Sequence, residues 1–100
     1  MSWQKYYPLQ TAENTRVLKH SQLTSLSTDF DNGGNPYTIF IRPKNSSYDT
    51  SVILNVQLLE DDTASNLPFL VNQWSPCIIQ KIIANTTILT NYDIYVGAGR

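Results

Sequence analysis

The chain reads as an all-β protein: a single small sandwich or barrel of short, mainly antiparallel strands with an extended N-terminal arm. Three observations predict this. Val52, Leu54, Val56 and Leu58 alternate with Asn55 and Gln57, the period-two pattern of a strand with one buried face. Short runs rich in Ile, Val, Tyr and Phe recur between clusters of Asn, Asp, Gly, Ser and Pro, a spacing that suits turns between strands. Helical stripes are missing, and a domain of 100 residues is large enough to bury a core without metals or disulfides.

Residues 1–27 differ in character from the rest of the chain. Trp3, Tyr6, Tyr7 and Pro8 precede a polar stretch in which Val17, Leu18, Leu23 and Leu26 are widely spaced apolar anchors. Thr11 to Asn14 suit the cap of a helix running to His20. The apolar positions hold no stripe, however, so an extended arm with one or two strands is the better reading. A free tail is normally poor in Trp and Tyr, so Trp3, Tyr6 and Tyr7 are expected to dock, on their own domain or on a neighbouring subunit.

Residues 28–100 form the β domain. Asp31 to Pro36 is turn chemistry, with Asn and Gly supplying positive φ. A strand follows over 37–42, apolar or aromatic on both faces, then a polar loop over 43–49. The alternating strand spans 51–60 and runs into the acidic corner Glu60, Asp61, Asp62. Residues 68–71 form a short strand, and 73–76 a turn or edge segment, because Pro76 cannot donate to a ladder. The Ile-rich run 77–84 is a strand covered on both faces near its ends. Asn85, Thr86 and Thr87 turn the chain into a closing strand over 91–96.

Composition narrows the function. Charged residues make up only 15% of the chain, where about a quarter is usual. Asn, Ser, Thr and Gln fill the gap, giving a surface with few charges to desolvate at a contact. Seven Lys and Arg against eight Asp and Glu leave a net charge of −1, so nothing draws in a nucleic-acid backbone or an anionic membrane. The first eight residues lack the apolar centre of a signal peptide, and no run approaches the ~20 apolar residues of a membrane helix, so synthesis in the cytoplasm is expected.

Reactive groups are scarce. A Cys-His pair requires Cys77 and His20, and Cys77 heads an apolar strand, where a thiol behaves as a small hydrophobe. A serine triad needs the same His20 and lacks a nucleophile elbow. Asp29, Asp31, Asn32 and Asn35 surround Gly33 and Gly34 without the spacing of a calcium loop, and a turn explains them more simply. Glu60, Asp61 and Asp62 read as a solvated corner. No catalytic residue, cofactor or metal is expected. Asn45-Ser46-Ser47 and Asn85-Thr86-Thr87 match the glycosylation pattern but read as turns. Tyr37, Trp74, Tyr92 and Tyr95 are the candidate ligand or interface aromatics, and Trp74 with Tyr37 suggests stacking on a sugar as one use.

Phe69-Leu70-Val71, Trp74-Ser75-Pro76, Ile79 to Ala84, Asn85-Thr86-Thr87 and Ile94-Tyr95 together resemble, in cadence, small virion proteins of tailed bacteriophages. The similarity is to head-surface proteins such as capsid decoration and head-spike base proteins, in which a Pro-led strand with basic positions runs into a Thr-rich turn and a short apolar strand. Here Gly is scarce, and Lys81 is the one basic residue in that strand. The resemblance implies a non-enzymatic structural protein of the virion. Its partners would be itself, as a symmetric homo-oligomer, and the major capsid protein or other virion proteins. A tail or baseplate component and a carbohydrate-binding β module for host attachment are the alternatives.

Overall fold

The computed structural model describes residues 17–99, which form two three-stranded antiparallel sheets. In chain order the strands are β1 (Val17–Leu23), β2 (Thr38–Pro43), β3 (Ser51–Leu58), β4 (Ser65–Leu70), β5 (Ile79–Ile82) and β6 (Tyr92–Gly99). One sheet runs β1-β6-β2 and the other β4-β3-β5, so β6 and β3 are the central strands. Their inner faces meet in one core. Ile39, Ile41, Ile94 and Val96 come from the β6 sheet, and Leu54, Val56, Phe69, Ile79 and Ile82 from the β3 sheet, all buried. This is a small all-β sandwich.

The alternation read in β3 is the alternation observed: Leu54 and Val56 are buried while Ser51, Ile53 and Asn55 are exposed. In β5, expected over 77–84, only four residues are regular strand. Ile79 and Ile82, three residues apart, are both fully buried, which a regular strand would not allow. The register explains it: Leu58 pairs with Ile79 and Gln57 with Lys81, so Gln80 is an extra residue. Such a bulge returns the next residue to the same face. The strand expected over 68–71 instead begins at Ser65 and contains Pro68 opposite Ile53. A four-residue helical turn, α1 (Ile88–Asn91), precedes β6.

Val17–Leu23, assigned to the arm from the sequence, pairs along β6 from Gly99 to Ile94, and Leu23 and Leu26 are in the core. The sheets are stapled together by irregular segments. Phe30 exchanges two backbone hydrogen bonds of 2.9 Å with Ile82, and Tyr37, just before β2, exchanges bonds of 3.1 and 2.7 Å with Ile79. On the far side of β2, the amides of Asn72 and Ser75 donate to the carbonyls of Ile41 and Ile39 at 2.7 and 2.8 Å. One long edge of each sheet is thereby covered, in keeping with the avoidance of bare strand edges. No helix among the described residues is long and apolar enough to cross a membrane.

Candidate functional site

Alternation along the β6 sheet decides which side chains look outward. Ile39 and Ile41 on β2 and Ile94 and Val96 on β6 point into the core. Phe40, Arg42, Asp93 and Tyr95, one residue out of step, therefore share the outer face. Register sets them side by side, since Phe40 pairs with Tyr95 and Arg42 with Asp93. On β1, Gln22 pairs with Tyr95 and His20 with Gly97. Trp74 joins from the covering segment through its bridge to Phe40.

The rings make a row of edge-to-face contacts. Trp74 and Phe40 have centroids 5.5 Å apart, Phe40 and Tyr95 6.4 Å, and Tyr95 and His20 6.2 Å. Space for the Trp74 ring exists because position 97 is Gly: a Cβ there would lie 2.7 Å from Trp74 Cζ3 and 2.8 Å from Val17 Cγ2. The backbone under the ring is also pinned. Thr38 Oγ1 donates to the Ser75 carbonyl at 2.6 Å and lies 2.7 Å from Ser75 Oγ, and both residues are buried.

A polar cluster borders the row. Arg42 Nη2 donates to Asp93 Oδ2 at 3.1 Å and to the Tyr95 hydroxyl at 2.8 Å, with its guanidinium carbon 5.4 Å from the Tyr95 ring centroid. The hydrogen bond to Asp93 is the main reason the guanidinium's pKa is raised further. Asp93 also accepts from Gln22 Nε2 at 3.4 Å and has Lys44 Nζ at 3.9 Å. Rings and guanidinium together line an open depression of about 550 Å³, bounded by Val17, His20, Phe40, Arg42, Trp74 and Tyr95.

Of the aromatics singled out from sequence, Trp74 and Tyr95 therefore stand on one face and in one site. Tyr37 and Tyr92 do not join them; they are 2% and 9% exposed and belong to the core. The Tyr37 hydroxyl donates to the Phe30 carbonyl at 2.7 Å, and burial pushes its phenol well above its ordinary 10.0. Trp3, Tyr6 and Tyr7 lie outside the described residues. Phe40, Arg42 and Asp93 were missed, although alternation within 37–42 and 91–96 places them in step with Tyr95.

The remaining candidates resolve into local structure. His20 is on the outer face of the β6 sheet, whereas Cys77 is half-buried against the core beside β5. Asp31 Oδ1 accepts from the Gly33 amide at 3.1 Å and so serves the turn, whereas Asp29 Oδ1 accepts from the Ala84 amide at 2.8 Å and ties the chain to the segment after β5. Among the described residues no three His, Cys, Asp or Glu gather in a way that could hold a metal. Asn45 and Asn85 make the same turn: each Oδ1 accepts from the backbone and the hydroxyl of the residue two positions on. Glu60, Asp61 and Asp62 are exposed.

A second surface lies on the outer face of the β3 sheet. Ile53 is 68% and Leu70 59% exposed. Ile53 pairs with Pro68, and Leu70 with Ser51 on the next rung but one, so the three apolar side chains are contiguous. The class of protein defined by this architecture is a small antiparallel sandwich carrying one aromatic and polar face and, among the described residues, one exposed aliphatic face. No family model matches the chain, and no curated protein or solved structure matches it either.

Proposed function

We propose that this protein is a non-enzymatic structural protein of a tailed-bacteriophage virion, seated on the head surface as a decoration protein or vertex spike base. It acts by docking, first against copies of itself and then against the capsid. The resemblance of residues 69–95 to head-surface proteins supplies the class.

The observation that carries the docking is the aliphatic patch of Ile53, Pro68 and Leu70. Large aliphatic side chains this exposed, grouped on one face of a sheet, mark a contact. Its surroundings select the occupant. Ser51, Asn55 and Asn66 flank the patch, so a second copy can cover it without burying a charge, and closed symmetry is the default for identical subunits. In this reading Trp3, Tyr6 and Tyr7, which lie outside the described residues, supply a second contact to a neighbouring subunit. Neither nucleic acid nor membrane is a partner in this reading.

The solution mass of the full chain tests it. Light scattering is expected to give an oligomer for the native protein and a smaller species for the double variant Ile53→Asp, Leu70→Asp, with unchanged circular dichroism. A folded monomer for the native protein at the highest attainable concentration would remove self-docking.

A further inference from the structure

From the opposite face we infer a separate binding site: the depression lined by Trp74, Phe40, Tyr95, His20 and Arg42 takes a neutral saccharide. A pyranose ring presents C–H groups on its flat faces and hydroxyls around its rim. The matching site sets an aromatic surface beside side chains that both donate and accept in fixed planes. Here the row Trp74, Phe40, Tyr95 provides the surface, its rings held edge to face. Arg42, Asp93, Gln22 and the Tyr95 hydroxyl form a continuous hydrogen-bonded border. Arg42 spends only Nη2 on the described residues, and its side chain is 55% exposed, leaving Nη1 and Nε to donate to a ligand.

Charge selects a neutral ligand. Among the described residues that line the depression, Arg42 is the one permanently charged side chain, and Asp93, which also has Lys44 Nζ at 3.9 Å, compensates it at 3.1 Å. A carboxylate or phosphate on the remaining guanidinium donors would lie close to the Asp93 carboxylate and be repelled by it. An apolar peptide would leave the border hydrogen bonds of Arg42 and Asp93 covered without offering partners. Hydroxyls, each able to donate and accept, satisfy both. Gly97 keeps the floor low enough for the Trp74 ring to lie in the surface. This site is independent of the docking patch, which is on the other sheet.

The test is a titration of the full-length ¹⁵N-labelled protein, following the amides of Phe40, Tyr95 and Gly97. The probes are glucose, galactose, mannose, N-acetylglucosamine, lactose and maltose, with glucuronate and sialic acid as anionic comparisons. At least one neutral sugar is expected to shift these amides saturably, with a Kd on the order of 1 mM, an ordinary strength for a small open site. Trp74→Ala and the milder Arg42→Gln should each weaken that binding about tenfold or more, while Ile53→Asp leaves it unchanged. Saturation by the anionic sugars alone overturns the inference. So does no saturable shift with any neutral sugar, or binding that survives in Arg42→Gln.

Discussion

Thr38 and Ser75 show how a buried polar pair can serve a surface. Their hydroxyls lie 2.7 Å apart, and the Ile39 amide reaches Ser75 Oγ at 3.4 Å, so the segment carrying Trp74 is fastened to β2 by side chains as well as by backbone. Removing one partner leaves a buried group unpaired, at about 1–3 kcal/mol, whereas removing both with similar shape is nearly neutral. Thr38→Val takes the partner from both the Ser75 hydroxyl and the Ser75 carbonyl and is therefore expected to lower the urea-unfolding free energy by about 1–2 kcal/mol. Adding Ser75→Ala should cost less than the sum of the two single changes, a coupling that a double-mutant cycle reads directly. Nothing in Trp74-Ser75-Pro76 as a string of letters discloses this. The partner of Ser75 is 37 positions away, and Thr38 reads as an ordinary strand residue.

At the scale of elements, β3 was legible because one side of it is wet and the other dry, and alternation records that contrast. The bulge in β5 was not, because apolar residues stand on both sides of Gln80 and Lys81, and a string without contrast fixes no register. β4 was half legible: Pro68 reads as the first residue of a short strand, yet it sits in the middle of one that begins at Ser65. Its tolerance comes from the ladder. The Val71 amide donates to Thr50, so alternate amides from Val71 back to Ser65 face β3. The nitrogen of Pro68 therefore faces the outer edge, where no partner strand lies among the described residues. Pro68 thus removes a donor from the middle of that edge, a recognised defence against unwanted strand pairing. Pro68→Val is expected to restore the donor and raise concentration-dependent association, seen by light scattering as growth beyond the native size.

For the whole molecule, the junction of the two sheets matters most, and Tyr37 occupies it. Its backbone pairs with Ile79 of one sheet while its chain continues into β2 of the other, and its ring packs edge to face on Phe30 at 5.2 Å. Burial holds the phenol neutral, so its folded pKa lies above the unfolded value of 10.0. Below pH 10.0 the unfolded chain keeps the proton as the native one does, and Tyr37 imposes no penalty. Above it, the unfolded state ionises first and stability falls as pH climbs towards the folded pKa. The melting temperature should decline more steeply above pH 10.0 in the native protein than in Tyr37→Phe. At neutral pH that variant should lose only about 1 kcal/mol, since the Phe30 carbonyl still accepts from the Ile82 amide.

The rung that pairs Val17 with Gly99 gives the molecule a direction of weakness under load. Tension applied between those two residues pulls straight across the β1–β6 ladder, so its hydrogen bonds open singly, like a zip, and each needs little force. Tension applied between the outer faces of the two sheets must instead separate the whole core at one stroke. A sandwich gripped by its faces would hold a strain at which the same sandwich, drawn by that rung, had already begun to peel.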